Sequence, residues 1–228
     1  MDIRFIPDDL SVVILTYNRP QRLLNLLKKI PKSLEIVVAD DGTLPSIKDI
    51  LPEHVKLYTH EHFGNRASTC RNEGVKLTTR PKVLMLDDDV TPNGYCYMAH
   101  SLALEMYDIS VGLLTREPNK PYTDDRLLFY MRDDLTLWNW FWSGNFAIRR
   151  DVFFEVGGFD EKTFNGTPEE AAHGFEDIDL GRRLWLANKR MVLNKLALAH
   201  HPGQHTAENP SPAVLRNQRR YYEKWGES

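Results

Sequence analysis

The sequence predicts an α/β fold in which a mostly parallel central sheet, Rossmann-like in its order, is flanked by helices in a single domain spanning residues 1–228. A β-branched run at 11–16 is followed by leucines at helical spacing and by a second apolar run at 34–39, which is the pattern of a strand–helix–strand unit. A third apolar run, at 83–86, ends directly in acidic residues. With 42% hydrophobic and 27% charged residues, the 228-residue chain has the composition of a globular protein with its own core.

The elements can be assigned in chain order from these patterns. Pro31 ends the first helix, and Gly42 marks the turn after the second strand. The further elements are a weak strand at 55–59, a helix at 67–77, the strand at 83–86, a helix at 95–106, a strand near 111–115, a strand-like stretch at 138–148, helices at 151–156 and 178–187, and a closing strand at 191–193. We expect residues 1–115 to form a nucleotide-binding half, residues 116–205 an acceptor and catalytic half, and residues 206–228 a C-terminal helix.

Charge and cysteine content exclude several classes of function. The net charge is −3 and the charges are interleaved, so no basic stripe is available for a nucleic-acid backbone. Cys70 and Cys96 lie in predicted helical segments, which favours reduced, interior thiols. The apolar run near the amino terminus is too short for a signal peptide or a transmembrane segment, so we expect a soluble, cytoplasmic protein.

Three consecutive aspartates follow the strand at 83–86. Side chains alternate along an extended chain, so Asp87 and Asp89 are expected to point together and Asp88 away from them. Paired carboxylates suit a hard divalent cation that bridges two phosphates, as Mn²⁺ or Mg²⁺ does. The alternative is a solvated acidic turn or a helix cap.

A second acidic cluster opens the helix predicted at 178–187. Its carboxylates, Glu176, Asp177 and Asp179, lie where the helix dipole favours negative charge, so capping by Glu176 or Asp179 is the alternative to a catalytic role. Sugar transfer needs both a metal ion for the leaving pyrophosphate and a carboxylate base. Because the metal site is predicted upstream, we favour a catalytic role for this second cluster.

Histidines and aromatic residues supply the remaining candidates. His200, His201 and His205 fall within six positions on a predicted loop and could contact a metal or substrate. In the stretch at 138–142, alternation would place Trp138, Trp140 and Trp142 on one side of the chain. Trp140 and Trp142 are the candidate contacts to the acceptor, and packing in the core is the alternative role for these rings. The basic, aromatic C-terminal helix is expected to dock its rings on the domain rather than to meet a membrane or a partner.

Seven segments, taken in order, closely resemble the family 2 type of inverting glycosyltransferases with the GT-A fold. They are residues 13–19 (VILTYNR), 38–42 (VADDG), 71–74 (RNEG), 86–89 (LDDD), 143–150 (SGNFAIRR), 157–161 (GGFDE) and 175–180 (FEDIDL). The carboxyl-terminal half is most similar to the galactosyltransferase and N-acetylgalactosaminyltransferase branch, which includes chondroitin-polymerase-like enzymes.

The resemblance implies a role for each matching residue. Asp177 would be the catalytic base, with Glu176 contacting the sugar beside it. Asp89, Asp87 and His201 would hold the metal, with the neighbouring His200 an alternative ligand. Asp41 would meet the uracil and Asp88 the ribose. The nucleotide-sugar contacts implied are Thr16, Tyr17, Asn18, Arg19, Asp41, Arg71, Asp87, Asp88, Gly144 and Asn145.

The function predicted from the sequence is therefore metal-dependent, inverting transfer of a hexose or N-acetylhexosamine. The donor would be a UDP-sugar, the cofactor Mn²⁺ or Mg²⁺, and the acceptor a hydroxyl of a glycan or glycoconjugate. Two alternatives stay open at this stage: a non-catalytic sugar-binding module, and a sugar nucleotidyltransferase. The nucleotidyltransferase would need a glycine-rich phosphate loop with a lysine, and residues 15–21 contain none.

Overall fold

A computed structural model describes residues 6–115, 138, 141–202 and 210–226 of the protein. The strands are β1 (Leu10–Thr16), β2 (Glu35–Asp40), β3 (Val55–Thr59), β4 (Lys82–Asp87), β5 (Thr91–Pro92), β6 (Ile109–Thr115), β7 (Asn145–Arg149) and β8 (Met191–His200). The helices are α1 (Pro20–Leu27), α2 (Ala67–Lys76), α3 (Cys96–Ala103), α4 (Arg150–Glu155), α5 (Glu161–Phe164), α6 (Glu176–Leu186) and α7 (Pro212–Trp225), with a 3₁₀ turn at Lys48–Ile50.

The described strands form one sheet in the order β3-β2-β1-β4-β7-β6-β8-β5. Strands β1 to β4 are mutually parallel, and β6 and β8 run in the same direction as they do. The prediction of a mostly parallel sheet is therefore confirmed. Strand β7 lies antiparallel between β4 and β6, and β5 is antiparallel to β8. The sequence pattern did not predict these two reversals.

The core consists of one apolar layer on each face of the sheet. Alternation along β1 sends Val12 and Ile14 to one layer and Val13 to the other. The first layer also receives the leucines of α1, and the second receives the buried face of α6. Burial on both faces explains why these strands are continuous apolar runs in the sequence.

Helix α2 packs closely on the sheet because it contains a glycine. A Cβ on Gly74 would lie only 2.6 Å from Cγ1 of Val13. The RNEG segment therefore brings the backbone of α2 against β1 and β2, and the side chain of Arg71 on this helix reaches the end of the sheet.

Two segments differ from the sequence expectation. Among the described residues of the strand-like stretch at 138–148, the strand begins at Asn145, Ser143 and Gly144 lie in a turn, and the amide of Phe141 donates to Trp138 O at 3.3 Å. The expected alternation of the tryptophans stays a prediction, because Trp140 lies outside the described residues. Strand β8 continues to His200, beyond the predicted closing strand, because it pairs with β6 through Thr115 and with β5.

The C-terminal helix docks on the domain, as predicted. Tyr221 is buried, and the indole of Trp225 donates to Oδ1 of Asp179 at 3.1 Å. Lys224 pairs with the same carboxylate at 2.7 Å and with Asp160 at 2.8 Å. Helix α7 thus holds α6, which carries the second acidic cluster.

The two cysteines are buried and free, as expected. Within the described ranges, no helix combines the length and the apolar character that crossing a bilayer requires.

Candidate active site

A cleft of about 290 Å³ opens at the carboxyl ends of β1, β2 and β4. Ligands of open α/β sheets bind at this edge, where chain order reverses between neighbouring strands. Here the chain passes from β1 to β2 on one side and returns to β4 on the other. The residues that line the cleft are Leu15, Thr16, Tyr17, Arg19, Asp41, Asn65, Ala67, Arg71, Asp87, Asp88, Asp89, His173, Glu176 and His201.

The ends of β1 and β4 are joined through Asp88. Its carboxylate accepts from the hydroxyl of Thr16 at 2.7 Å and from Arg19 at 2.9 Å. Burial raises the pKa of Asp88 to about 6. Strand β4 ends at Asp87, and the amide of Val90 donates to Asp87 O in a turn, so the strand alternation assumed for the three aspartates does not extend past Asp87. All three nevertheless line the cleft.

Arg71 connects the two acidic clusters. Its guanidinium donates to Asp87 Oδ1 at 2.9 Å and to Glu176 Oε1 at 3.0 Å. Arg71 is buried, and burial alone would lower the pKa of its guanidinium, but the charges of Asp87 and Glu176 outweigh this and raise it. Its Nε has no hydrogen-bond partner among the described residues. The arginine therefore fixes the relative positions of both carboxylates.

His201 approaches the first acidic cluster from β8. Its Nε2 lies 3.5 Å from Oδ1 of Asp89, and this contact raises the pKa of His201 and lowers that of Asp89. His200 instead faces the main-chain oxygen of Thr115 at 3.2 Å and does not line the cleft. Of the two adjacent histidines, His201 lines the cleft beside Asp89 and His200 does not, while His205 lies outside the described residues.

Glu176 and Asp177 form the first turn of α6. Phe175 before them has a left-handed backbone with φ of 68° and provides no side-chain cap. The capping interpretation is wrong for Glu176, which binds Arg71, and for Asp179, which binds Arg183, Lys224 and Trp225.

Asp177 itself accepts from the backbone amides of Ser143 at 3.3 Å and Ile178 at 2.9 Å. Burial, followed by the charge of Glu176, raises the pKa of Asp177. A carboxylate with a raised pKa is a stronger base than one in water.

Asp41 lies at the opposite side of the cleft, in the turn after β2. Its Oδ1 lies 2.9 Å from Nε2 of His60. Its Oδ2 lies 3.1 Å from Nδ1 of His62 and accepts from the amide of Arg66 at 3.1 Å. The ring of His62 stacks on Tyr17 with a centroid distance of 3.9 Å. An acceptor beside an aromatic platform suits a nucleobase.

Some predicted site residues lie elsewhere. Asn145 is 1% exposed, and its amide donates to the main-chain oxygens of Leu113 and Ala197, so its assignment to the nucleotide-sugar is corrected to an internal structural role. Asn18 does not line the cleft and holds the turn at Leu44. Trp140 lies outside the described residues, whereas Trp142 is half-buried.

Sequence reasoning missed several residues near the cleft, namely His60, His62, Asn65, Ala67 and His173. His60 and His62 follow β3, and the only available signal was that a parallel strand beside β2 would end next to Asp41. His173 precedes the predicted helix and carried no motif of its own.

The predicted metal ligands have a donor set that fits Mn²⁺ or Mg²⁺. Asp87 and Asp89 offer hard oxygen ligands, and His201 offers an imidazole nitrogen. A Cβ on Gly144 would lie 3.1 Å from Oδ2 of Asp87, so the glycine keeps the space beside this carboxylate open.

Residues 11–172 match the family model described as glycosyl transferase family 2. The chain belongs to glycosyl transferase family 2. Validoxylamine A glucosyltransferase of Streptomyces hygroscopicus subsp. limoneus is 28% identical over 94% of this chain and 56% of its own length. Chondroitin synthase of Escherichia coli is 26% identical over 90% of this chain and 36% of its own. The chain thus spans about half or less of the length of these two relatives.

Solved structures agree on the fold. S. aureus TarS 1-349 in complex with UDP-GlcNAc superimposes with a TM-score of 0.66 and 16% identity, covering 89% of this chain and 62% of that one. GalNAc-T7 with UDP, GalNAc and Mn²⁺ superimposes with a TM-score of 0.65 and 18% identity, covering 94% of this chain and 47% of that one. The predicted GT-A fold and the predicted family of this glycosyltransferase domain are therefore confirmed.

Proposed function

We propose that the chain is an inverting, metal-dependent glycosyltransferase that moves a hexose or N-acetylhexosamine from a UDP-sugar to a hydroxyl of a glycan or glycoconjugate. The observation that carries this proposal is the arrangement around Arg71. One guanidinium joins an aspartate of the DDD run to Glu176, the neighbour of Asp177, across the cleft at the sheet edge. A donor bound there would have its diphosphate at one cluster and its sugar at the other.

The nucleoside would bind on the Asp41 side of the cleft. Tyr17 supplies an exposed aromatic face, and Asp41 supplies a carboxylate that can accept the N3 proton of uracil. TarS has been solved with UDP-GlcNAc and GalNAc-T7 with UDP, and this chain shares their fold. These observations support a UDP-sugar as the donor. The proposal keeps residues 1–115 as the nucleotide-binding half and residues 116–205 as the acceptor and catalytic half.

Asp89, Asp87 and His201 would hold the cofactor, Mn²⁺ or Mg²⁺. A bound divalent ion stabilises the negative charge that develops on the departing diphosphate. Glu176 would orient the sugar, because its carboxylate is fixed by Arg71 at the cleft wall. Arg19 reaches Asp88 and Asp89 and adds positive charge at the mouth of the cleft.

Asp177 would act as the base. Its carboxylate takes the proton of the acceptor hydroxyl while that oxygen forms a bond to the anomeric carbon and the bond from this carbon to the diphosphate oxygen breaks. Attack from the face opposite the diphosphate inverts the anomeric configuration. The raised pKa of Asp177 increases its basicity for this transfer.

The test is release of nucleotide from a panel of UDP-, GDP- and dTDP-sugars in the presence of Mn²⁺, since slow transfer to water reports the donor without a known acceptor. We expect turnover of a UDP-sugar that EDTA abolishes and fresh Mn²⁺ restores. Metal-independent sugar binding without turnover of any donor would instead favour a sugar-binding module. Formation of a nucleotide-sugar from a nucleoside triphosphate and a sugar phosphate would favour a nucleotidyltransferase.

A further inference from the structure

A second cluster of metal-ligating groups lies on the Asp41 side of the cleft and does not include the three aspartates. It consists of Asp41, His60 and Cys70, whose ligand atoms all lie within 4.8 Å of one another. Nε2 of His60 is 2.9 Å from Oδ1 of Asp41 and 3.3 Å from Sγ of Cys70, and the sulfur is 3.8 Å from the same Oδ1. The three groups come from the turn after β2, the end of β3 and helix α2.

The orientation of His60 turns its Nε2 towards both Asp41 and Cys70. Its Nδ1 is 2.6 Å from the main-chain oxygen of Glu61, which can only accept, so Nδ1 carries the ring proton. In the neutral ring Nε2 is then an acceptor, yet it faces a carboxylate oxygen at 2.9 Å. Two acceptors at this distance need a second ring proton or a metal ion between them, and Sγ of Cys70, 3.3 Å from the same Nε2, adds a third metal-ligating atom. A backbone carbonyl that binds the remote ring nitrogen is also the usual support of a metal-bound histidine.

The distances suit a tetrahedral ion. Zinc–ligand bonds of about 2.0–2.3 Å place neighbouring ligands of a tetrahedron about 3.3–3.8 Å apart. The two separations that involve the sulfur and a second ligand, 3.3 and 3.8 Å, lie in this range, and the nitrogen–oxygen separation of 2.9 Å is shorter. Thiolate and imidazole select Zn²⁺ over Mn²⁺ and Mg²⁺, which prefer oxygen.

We propose that Asp41, His60 and Cys70 form a zinc-type site with three protein ligands and one open position. Asp41 lines the cleft, so water or a ligand atom can reach the fourth position from there. Cys70 must lose its proton to bind; burial raises the pKa of its thiol, and a coordinated metal ion favours the thiolate. Oδ2 of Asp41 stays held by His62 and Arg66.

Occupancy of this site affects the donor, and this step rests on the proposed function. A metal ion on Oδ1 occupies the carboxylate that would accept from uracil, so Zn²⁺ and UDP would compete for Asp41. The zinc-type site itself does not depend on that competition, because its ligands are present whether or not the chain turns over a UDP-sugar.

The experiment uses Co²⁺ as a spectroscopic substitute for Zn²⁺. Sulfur coordination gives Co²⁺ an intense charge-transfer band in the near ultraviolet, whereas Co²⁺ on Asp87, Asp89 and His201 has no sulfur ligand and gives none. We expect the full chain, reduced and stripped of metal, to develop this band with one equivalent of Co²⁺ and to lose it when Zn²⁺ is added. Absence of the band in the folded wild-type protein would overturn the proposal.

Matched variants test the ligands individually. Cys70→Ser should abolish the band, while Cys96→Ser, at the other buried cysteine, should keep it. His60→Gln, at a less buried position, should retain the fold and weaken Co²⁺ binding at least tenfold. The control His54→Gln, on the exposed loop before β3, should leave Co²⁺ binding unchanged. A band that survives in folded Cys70→Ser or His60→Gln protein would refute the assignment. A failed UDP-sugar assay with an intact band would refute the proposed function alone.

Discussion

Nε2 of His201 lies 3.5 Å from Oδ1 of Asp89, although the two residues belong to opposite halves of the sequence. The contact exists because β8 runs beside β6 to the same edge of the sheet at which β4 ends. The contact brings a carboxylate of the acidic turn and a loop histidine together in one candidate metal site.

Replacing either member of this pair should weaken metal-dependent nucleotide binding. For Asp89→Asn and His201→Gln we expect UDP affinity in Mn²⁺ to fall by about tenfold or more, because loss of even an outer partner of a metal ligand costs about 10- to 100-fold in metal affinity. Titration calorimetry with UDP, in Mn²⁺ and then in EDTA, measures the difference. His200→Gln is the control, because that ring contacts only a main-chain oxygen among its described partners. Equal losses in His200→Gln and His201→Gln would contradict the assignment.

Asp177→Asn should separate binding from catalysis. The amide keeps the shape of the side chain but cannot accept the proton, so we expect kcat to fall by about 10²-fold or more while UDP binding is retained. Asp151→Asn, at an exposed carboxylate, is the control. The base must be ionised and its pKa is raised, so wild-type kcat should increase with pH through that pKa. Turnover at the wild-type rate in the Asp177→Asn variant would exclude Asp177 as the catalytic base.

Arg71→Lys should disturb both acidic clusters at once. An ammonium cannot donate to Asp87 and Glu176 in the geometry of the planar guanidinium, and one carboxylate would lose its partner. We expect a stability loss of about 2 kcal/mol in urea unfolding together with a lower kcat. Arg149→Lys, in an exposed pair with Asp151, should change stability by less than about 1 kcal/mol. Comparable losses in both variants would argue against a special position for Arg71.

His100 should make the fold sensitive to acid. Its ring is buried between Ser110 and Asn145, and burial lowers its pKa from 6.5 to about 4. His100 binds a proton below pH 6.5 in the unfolded chain but only below about pH 4 in the folded one. The free energy of unfolding is therefore undiminished by this group above pH 6.5. It should fall by on the order of 3 kcal/mol as pH drops through this window.

The variant His100→Gln isolates this contribution, since glutamine does not titrate. The difference in unfolding free energy between wild type and variant, measured by urea titration at several pH values, should shrink as the pH falls from 7 towards 4. A difference that is constant with pH would show that His100 is not held neutral.

The sequence by itself determined the strands β1 to β4, the helices between them and the positions of the DDD and FEDID motifs. These features are local: apolar periodicity marks a strand or helix, and a motif keeps its place relative to the element beside it. Sequence reasoning therefore located Asp87, Asp88, Asp89, Glu176 and Asp177 at the end of a strand and the start of a helix.

Only the tertiary structure decided which of these residues meet. That His201 lines the cleft and His200 does not depends on the register of β8 against β6, and the inward direction of Asn145 depends on β7 entering the sheet antiparallel. The contact between Asp41 and His60 depends on the parallel pairing of β2 and β3. Each involves contacts between residues far apart in the chain, which the local apolar pattern does not encode.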